Sequence, residues 1–159
     1  MIHINIICVG KIKEKFLKDA INEYSKRLSK YCKLNIIELS DESIPNNLTD
    51  KIAENIKITE GQKILMHTKN AYNISLSLDG KQFSSEEFSN KLNNILLNHN
   101  SNISFIIGGS LGLSKEVLQA SDELISFSKM TFPHQLIRVF LLEQLFRAFK
   151  ISNNETYHR

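Results

Sequence analysis

The residues best suited to chemistry lie in the last third of the chain. From Ser126 the sequence reads "SFSKMTFPHQLIR", and the chain ends in "YHR". Upstream, "FIIGGSLGL" places Gly108, Gly109 and Gly112 directly after an apolar run. Glycines there let a backbone approach a ligand closely and leave amide hydrogens free to point at it. Between residues 126 and 133, Phe127, Met130 and Phe132 interleave with small polar residues. Backbone groups of such a segment could read the edge of a flat heterocycle such as adenine, with the apolar side chains packed on its faces. The same residues would also serve a buried connection that plugs the core. Pro133 lacks an amide hydrogen and has a fixed φ, so it suits a helix start, with Thr131 as its cap.

Spacing excludes several other chemistries. The glycines read G-G-x-x-G, not G-x-G-x-x-G, and they follow a late strand instead of the first, so a dinucleotide fingerprint is absent. The phosphate-binding G-x-x-x-x-G-K-[ST] and the nucleophile elbow G-x-S-x-G are also absent. His3, His67, His99, His134 and His158 form no i, i+4 pair and have no neighbouring cysteine, so no metal site is expected. Cys8 and Cys32 lack metal-ligand spacing, and Cys8 sits in an apolar run as a buried, inert thiol would. Two unpaired cysteines fit a reducing, cytoplasmic setting.

These residues must be positioned by the elements around them. "IHINIICVG", "KLNIIEL", "QKILMHT", "NISLSL", "NISFIIGG" and "ELISFS" read as strands, the fourth ended by a turn at Asp79-Gly80. "KEKFLKDAINEYSKRLSKY" has apolar residues at helical spacing. Thr49 caps a short helix that Gly61 closes. Ser84 and Glu87 form a capping box, a short helix starts near Ser114, and a long one runs from Pro133 to Lys150. Strands alternate with helices and read as nearly continuous apolar runs. That pattern predicts a single α/β domain over residues 1–159, with a mostly parallel sheet covered on both faces. In such sheets ligands sit beyond the carboxyl ends of the strands, where the glycine and 126–133 segments fall.

Composition is that of an ordinary globular chain: 159 residues, 42% hydrophobic and 23% charged, with net charge +3. No apolar run is long enough to cross a membrane, and the N-terminus reads as a strand, not a signal peptide. Charge is unevenly spread. Residues 11–33 hold eight Lys/Arg against three acids, and residues 129–159 hold five against two. Residues 38–60 hold six acids against two lysines. If the two basic ends meet in space, they form a patch able to hold a polyanion; otherwise they are solvated helix faces.

Taken together, "FIIGGSLGL", "SFSKMTFPHQLIRVFLLEQLFRAFKI", "YHR" and the opening "INIICVGKIKEKFLKDAINEYSKRLSKY" resemble one family over the whole chain. It is the bacterial methyltransferases of the SPOUT, or α/β-knot, superfamily that modify ring nitrogen 3 of a pseudouridine in large-subunit ribosomal RNA. The resemblance implies a C-terminal trefoil knot whose loops hold S-adenosylmethionine. Leu76, Gly108, Phe127, Ser128, Lys129, Met130, Thr131 and Phe132 would line that pocket. It also implies a homodimer joined through the last helix, each site completed by the partner. Leu136, Val139, Phe140, Leu142, Leu145, Phe146 and Phe149 are too many for one narrow stripe, which suits a helix buried on two sides.

Removal of a ring imide proton leaves charge on the base carbonyls, which a nearby cation or donor stabilises. Arg138, Tyr157, His158 and Arg159 are the expected groups, with His134 as a possible proton acceptor or helix cap. The substrate expected is ribosomal RNA in the assembled ribosome, contacted by lysines between Lys11 and Lys33 and by the basic C-terminal end. Two other readings are a catalytically dead RNA-binding scaffold and a transfer RNA methyltransferase. The intact "GGSLG", Arg138 and "YHR" speak against the first, and the lack of an added RNA-binding domain against the second.

Overall fold

A computed structural model describes residues 1–157, so the expected roles of His158 and Arg159 lie outside the described residues. Five strands, β1 (His3–Val9), β2 (Lys33–Leu39), β3 (Tyr72–Gln82), β4 (Asn102–Ile107) and β5 (Glu123–Ser126), form one sheet in the order β2-β1-β4-β3-β5. All neighbouring pairs are parallel, as the apolar runs predict. Helices α1 (Lys15–Leu28), α3 (Ser85–Asn98) and α5 (His134–Ser152) pack on one face, where the larger core gathers around Ile4, Ile6, Phe105 and Leu145. Helices α2 (Asp50–Leu65) and α4 (Lys115–Ala120) cover the other, over Ile7, Val9, Ile106 and Val117. Leu141 and Leu145 of α5 are fully buried. Truncation of either to alanine would destabilise the fold by about 2–5 kcal/mol.

Local signals place the helix starts. Thr49 accepts from the Ile52 amide at 3.2 Å, and Ser114 accepts from Val117 at 3.3 Å. Ser84 accepts from the Glu87 amide while Glu87 accepts from the Ser84 amide at 2.7 Å, a complete capping box. Pro133, not Thr131, is the N-cap residue of α5, and its φ of −54° suits that place.

Two further expectations are overturned. "QKILMHT" is not a strand: α2 runs through Gly61 to Leu65, with Ile56, Glu60, Gly61 and Ile64 buried along one side. Gly61 therefore closes nothing. A β-carbon on it would stand 2.5 Å from Ser114 Oγ, so glycine is there to let α2 touch α4. Nor do Asp79 and Gly80 end β3. Leu76 and Lys81 both pair with Ile125, so residues 77–80 bulge out and the strand resumes. A β-carbon on Gly80 would lie 2.4 Å from the Ile125 carbonyl carbon, which makes its missing side chain a condition of that close approach.

Candidate active site

The crevice lies at the carboxyl edge of the sheet, and β1 and β4 at its centre bring two glycine turns there. Gly10 ends β1 with φ +92°, a conformation open to glycine, and its amide donates to Leu39 O at 2.7 Å. After β4, Gly112 (φ +87°) donates to Gly109 O at 3.0 Å and closes a tight turn. A β-carbon on Gly108 would sit 2.9 Å from the Gly112 carbonyl carbon. The turn folds on itself at Gly108, whereas a β-carbon on Gly112 would meet no atom within 4 Å, so the backbone is open there.

The segment after β5 is also ordered from within. Ser126 Oγ donates to Ser128 O at 2.9 Å, and Ser128 Oγ accepts from the Met130 amide at 3.0 Å. Phe127 and Ser128 are half-buried, Lys129, Met130 and Thr131 are exposed, and Phe132 packs edge-on against Phe140 at 5.5 Å. Phe127 and Phe132 help to line a cavity of about 400 Å³. Its other walls come from Phe83, Ser84 and Phe88 around the start of α3 and from Phe140, Glu143 and Gln144 on α5. Leu76, half-buried, stands where β3 leaves β5 for its bulge, beside Ile125 of the same cavity wall. Of the predicted donor-site residues, Phe127 and Phe132 are on the cavity, Leu76 lies within β3 opposite Ile125, and Gly108 begins the turn after β4.

The predicted catalytic residues divide. Arg138 is 2% exposed and is taken up by the fold. Nη1 donates to Glu38 Oε2 at 2.8 Å, and Nη2 donates to Val9 O at 3.1 Å and Gly10 O at 2.8 Å. Its Nε is buried without a partner among the described residues. Glu38 also accepts from the Ile12 amide at 3.0 Å. His134 Nε2 lies over Gly10, 3.7 Å from where a β-carbon would stand. Burial and then the Arg138 charge hold the His134 imidazole below its ordinary pKa, only partly offset by Asp41. It is thus kept in the neutral form that could accept a proton.

Tyr157 is elsewhere. Its hydroxyl donates to Glu143 Oε1 at 3.3 Å, its ring packs edge-on against Phe146 at 5.0 Å, and Arg147 covers it at 4.8 Å. From His134 to Phe146 is twelve residues of helix, about 18 Å. One subunit does not bring Tyr157 to His134.

The two basic ends of the chain do meet. Tyr31 stacks on Phe149 with centroids 5.4 Å apart, and Glu155 binds Lys30, Lys150 and the Tyr31 hydroxyl. Bonds from Lys150, then Tyr31, hold the Glu155 carboxyl down to about 2. Cys8 and Cys32 are buried thiols pushed up to about 11 by burial, as an inert role requires. Among the described residues no group of three or more His, Cys, Asp or Glu is placed to hold a metal, and no helix is long and apolar enough to cross a membrane.

Three structural features escaped the sequence reading: the Glu38 partner of Arg138, the cavity wall from α3, and the buried Glu60. Only the third left a sequence trace, a charge at the i+4 place of an isoleucine stripe.

The family described as "Predicted SPOUT methyltransferase" matches residues 2–158. A protein from Clostridium novyi (strain NT) named "Ribosomal RNA large subunit methyltransferase H" is 60% identical over 158 residues, 99% of this chain and 99% of its own. A protein of the same name from Clostridium botulinum (strain Eklund 17B / Type B) is also 60% identical over 158 residues, with the same coverage. Among solved structures, a probable methylase family protein from Haemophilus influenzae Rd KW20 superposes with a TM-score of 0.58 at 12% identity, over 98% of this chain and 70% of that one. At that identity the likeness is one of fold.

Proposed function

The chain belongs to the SPOUT methyltransferase family, and on that premise we propose that it is a ribosomal RNA large-subunit methyltransferase that uses S-adenosylmethionine to methylate ring nitrogen 3 of a pseudouridine. The observation that carries this reading is the convergence of Leu76, the Gly108–Gly112 turn and the 126–132 loop at one edge of the sheet. The strand-end loops are then those of a C-terminal trefoil knot. The strand order, with β4 and β3 between β1 and β5, supports that arrangement. We assign the site to a cytoplasmic homodimer acting on the assembled ribosome.

The residues present fit a nucleoside with an apolar edge. Gly112, whose missing side chain faces open space, would let it approach, Phe127 and Phe132 offer apolar surface, and the serine-ordered loop holds its backbone groups in place. When bound, S-adenosylmethionine supplies a methyl group already activated by a sulfonium charge. The chain's contribution is then alignment, which is worth several kcal/mol of barrier. Arg138 acts at one remove: it fixes Gly10 and hence the floor beneath His134. Neutral His134 is the described group best placed to take the imide proton, and the tail would stabilise the charge that develops on the base carbonyls.

The dimer reading is supported by α5. Phe140 is 38% exposed, and Leu136, Val139 and Gln144 beside it are only half-buried. Leu78 and Met130, at 60% and 71% exposed, extend the uncovered apolar surface near the crevice. The test is methyl transfer from labelled S-adenosylmethionine to ribosomes, and separately to subunits, from a strain lacking the protein. Label at one large-subunit pseudouridine supports the reading. Transfer to naked RNA fragments as fast as to ribosomes would remove the assembled ribosome as substrate, and no transfer at all would remove the acceptor.

A further inference from the structure

Helix α2 carries a charge where its apolar stripe should continue. Residues 52, 56 and 64 are isoleucine, whereas residue 60 on the same side is glutamate, 4% exposed. Glu60 Oε2 accepts from the Glu42 amide at 3.0 Å. Oε1 stands 3.1 Å from the place a β-carbon on Gly109 would take, and Val9 Cγ1 stands 3.3 Å from it. The Gly109 backbone thus rests directly on the carboxylate. The next residue does the same at the far end of the loop: a β-carbon on Gly61 would meet Ser114 Oγ at 2.5 Å and Val117 Cγ2 at 3.1 Å. Ser114 caps α4. Consecutive residues of α2 therefore brace both ends of the β4–α4 loop. Lys63 extends the brace to the β2–α2 loop, donating to Ser40 O at 2.9 Å and Glu42 Oε1 at 2.9 Å.

A carboxylate so deeply buried is costly unless a cation or several donors offset it. Lys63 is engaged with Ser40 and Glu42, and one amide is the hydrogen bond Glu60 receives among the described residues. Packing alone would favour an apolar side chain here. A fixed negative charge against the glycine turn has a use if the ligand of that turn is a cation. Resting on the reading of this loop as the methyl-donor site, we propose that Glu60 is a positioning residue. It sets the Gly108–Gly112 turn and biases the donor pocket toward the cationic sulfonium over the neutral thioether left after transfer.

Other groups facing Glu60 do not remove the need for this charge. Burial raises its pKa above the ordinary carboxylate value, the Glu42 amide opposes that, Asp41 and Glu42 add to it, and Lys63 opposes it. Across the end of β1, His134 and Arg138 lie over Gly10, and Arg138 is paired with Glu38. A cation bound beside the turn would favour the ionised Glu60. Donor affinity should therefore fall as pH drops toward the raised pKa and Glu60 takes up a proton.

The experiment is calorimetric binding of S-adenosylmethionine and of S-adenosylhomocysteine to the full-length protein, from mildly acidic to neutral pH, with Glu60→Gln and Glu60→Asp. The expected result for Glu60→Gln is a loss of about tenfold in S-adenosylmethionine affinity, the size of one pKa unit of differential interaction. S-adenosylhomocysteine affinity should change little, the acid-side fall should disappear, and the melting temperature should not drop. Glu60→Asp should keep the preference for the cation in part, and it supplies the same ratio if the glutamine variant does not fold. An unchanged affinity ratio and pH profile in Glu60→Gln would overturn the proposal while leaving the donor site intact. Failure of the wild-type protein to bind either compound would overturn the donor reading itself, and the proposal with it.

Discussion

Replacement of Arg138 by methionine separates two roles that the sequence alone assigns equally well. The long apolar stem is kept and the guanidinium is lost. In the structure that guanidinium makes one ion pair, to Glu38, and two charged hydrogen bonds, to Val9 O and Gly10 O. Loss of one partner of a buried pair is worth about 3–5 kcal/mol. Here the lower end applies. The Glu38 side chain is 35% exposed, so its carboxylate recovers hydration, and it keeps the Ile12 amide. The expected destabilisation is about 3 kcal/mol, or roughly 6–12 °C in Tm for a chain of this length. Urea unfolding followed by circular dichroism measures it, at one fixed protein concentration because the proposed dimer would shift apparent stability by mass action. Arg138→Lys should fall between, since one ammonium cannot reach all three acceptors in fork geometry. If the unfolding free energy of Arg138→Met stays within about 1 kcal/mol of wild type while kcat collapses, the structural assignment is refuted. Arg138 is then a transition-state cation.

Two further outcomes follow from the same geometry. The pKa of His134 is lowered in the folded state, so between that value and its ordinary one the unfolded chain binds more protons and stability rises with pH. His134→Gln should remove that rise from a pH series of unfolding midpoints, and if His134 accepts the imide proton it should also remove the acid limb of the rate profile. Substitution of the exposed Lys11, Lys13 and Lys18 by alanine should leave donor binding intact but weaken ribosome binding. The slope of log K against log salt should fall by roughly 0.7–0.9 for each phosphate that is no longer neutralised.

Where the sequence could be read, its signals were local. The strands announce themselves as apolar runs, and the caps at Thr49, Ser84 and Ser114 are made within three residues. The place of the loops proposed to hold the donor was legible for a similar reason, since a glycine or aromatic segment directly after a buried strand must lie at the sheet's carboxyl edge. The last part of helix α2 was not legible, because Glu60 interrupts its isoleucine stripe and Gly61 mimics a stop. Both residues are explained only by what lies across the loop: Gly109 for one, Ser114 for the other. Gly80 misleads in the same way, being a close-contact glycine in a bulge and not a turn. The fate of Arg138 lay beyond local reading, because its three acceptors are 100, 128 and 129 residues away in sequence.

The separation of Tyr157 from His134 makes a demand on assembly. The tail packs on Glu143, Phe146 and Arg147 of α5, beside one wall of the cavity, while His134 lies at the start of the helix over Gly10. A site that needs both must take its tail from a second copy. Hybrid dimers test this. One variant lacks residues 157–159; the other carries Gly108→Val, whose added atoms would collide with the Gly112 carbonyl 2.9 Å from the β-carbon and close the donor turn. Each alone should be inactive. Unfolded and refolded together in equal amounts, half the dimers are hybrids, and each hybrid has one site with an intact turn and an intact partner tail. Methyl transfer should recover to about one quarter of wild type, as random pairing of two-fold dimers requires. If the mixture stays as inactive as its parents while size and donor binding show that hybrids have formed, turn and tail serve the site of the same subunit. The α5 face then joins the dimer without sharing its chemistry.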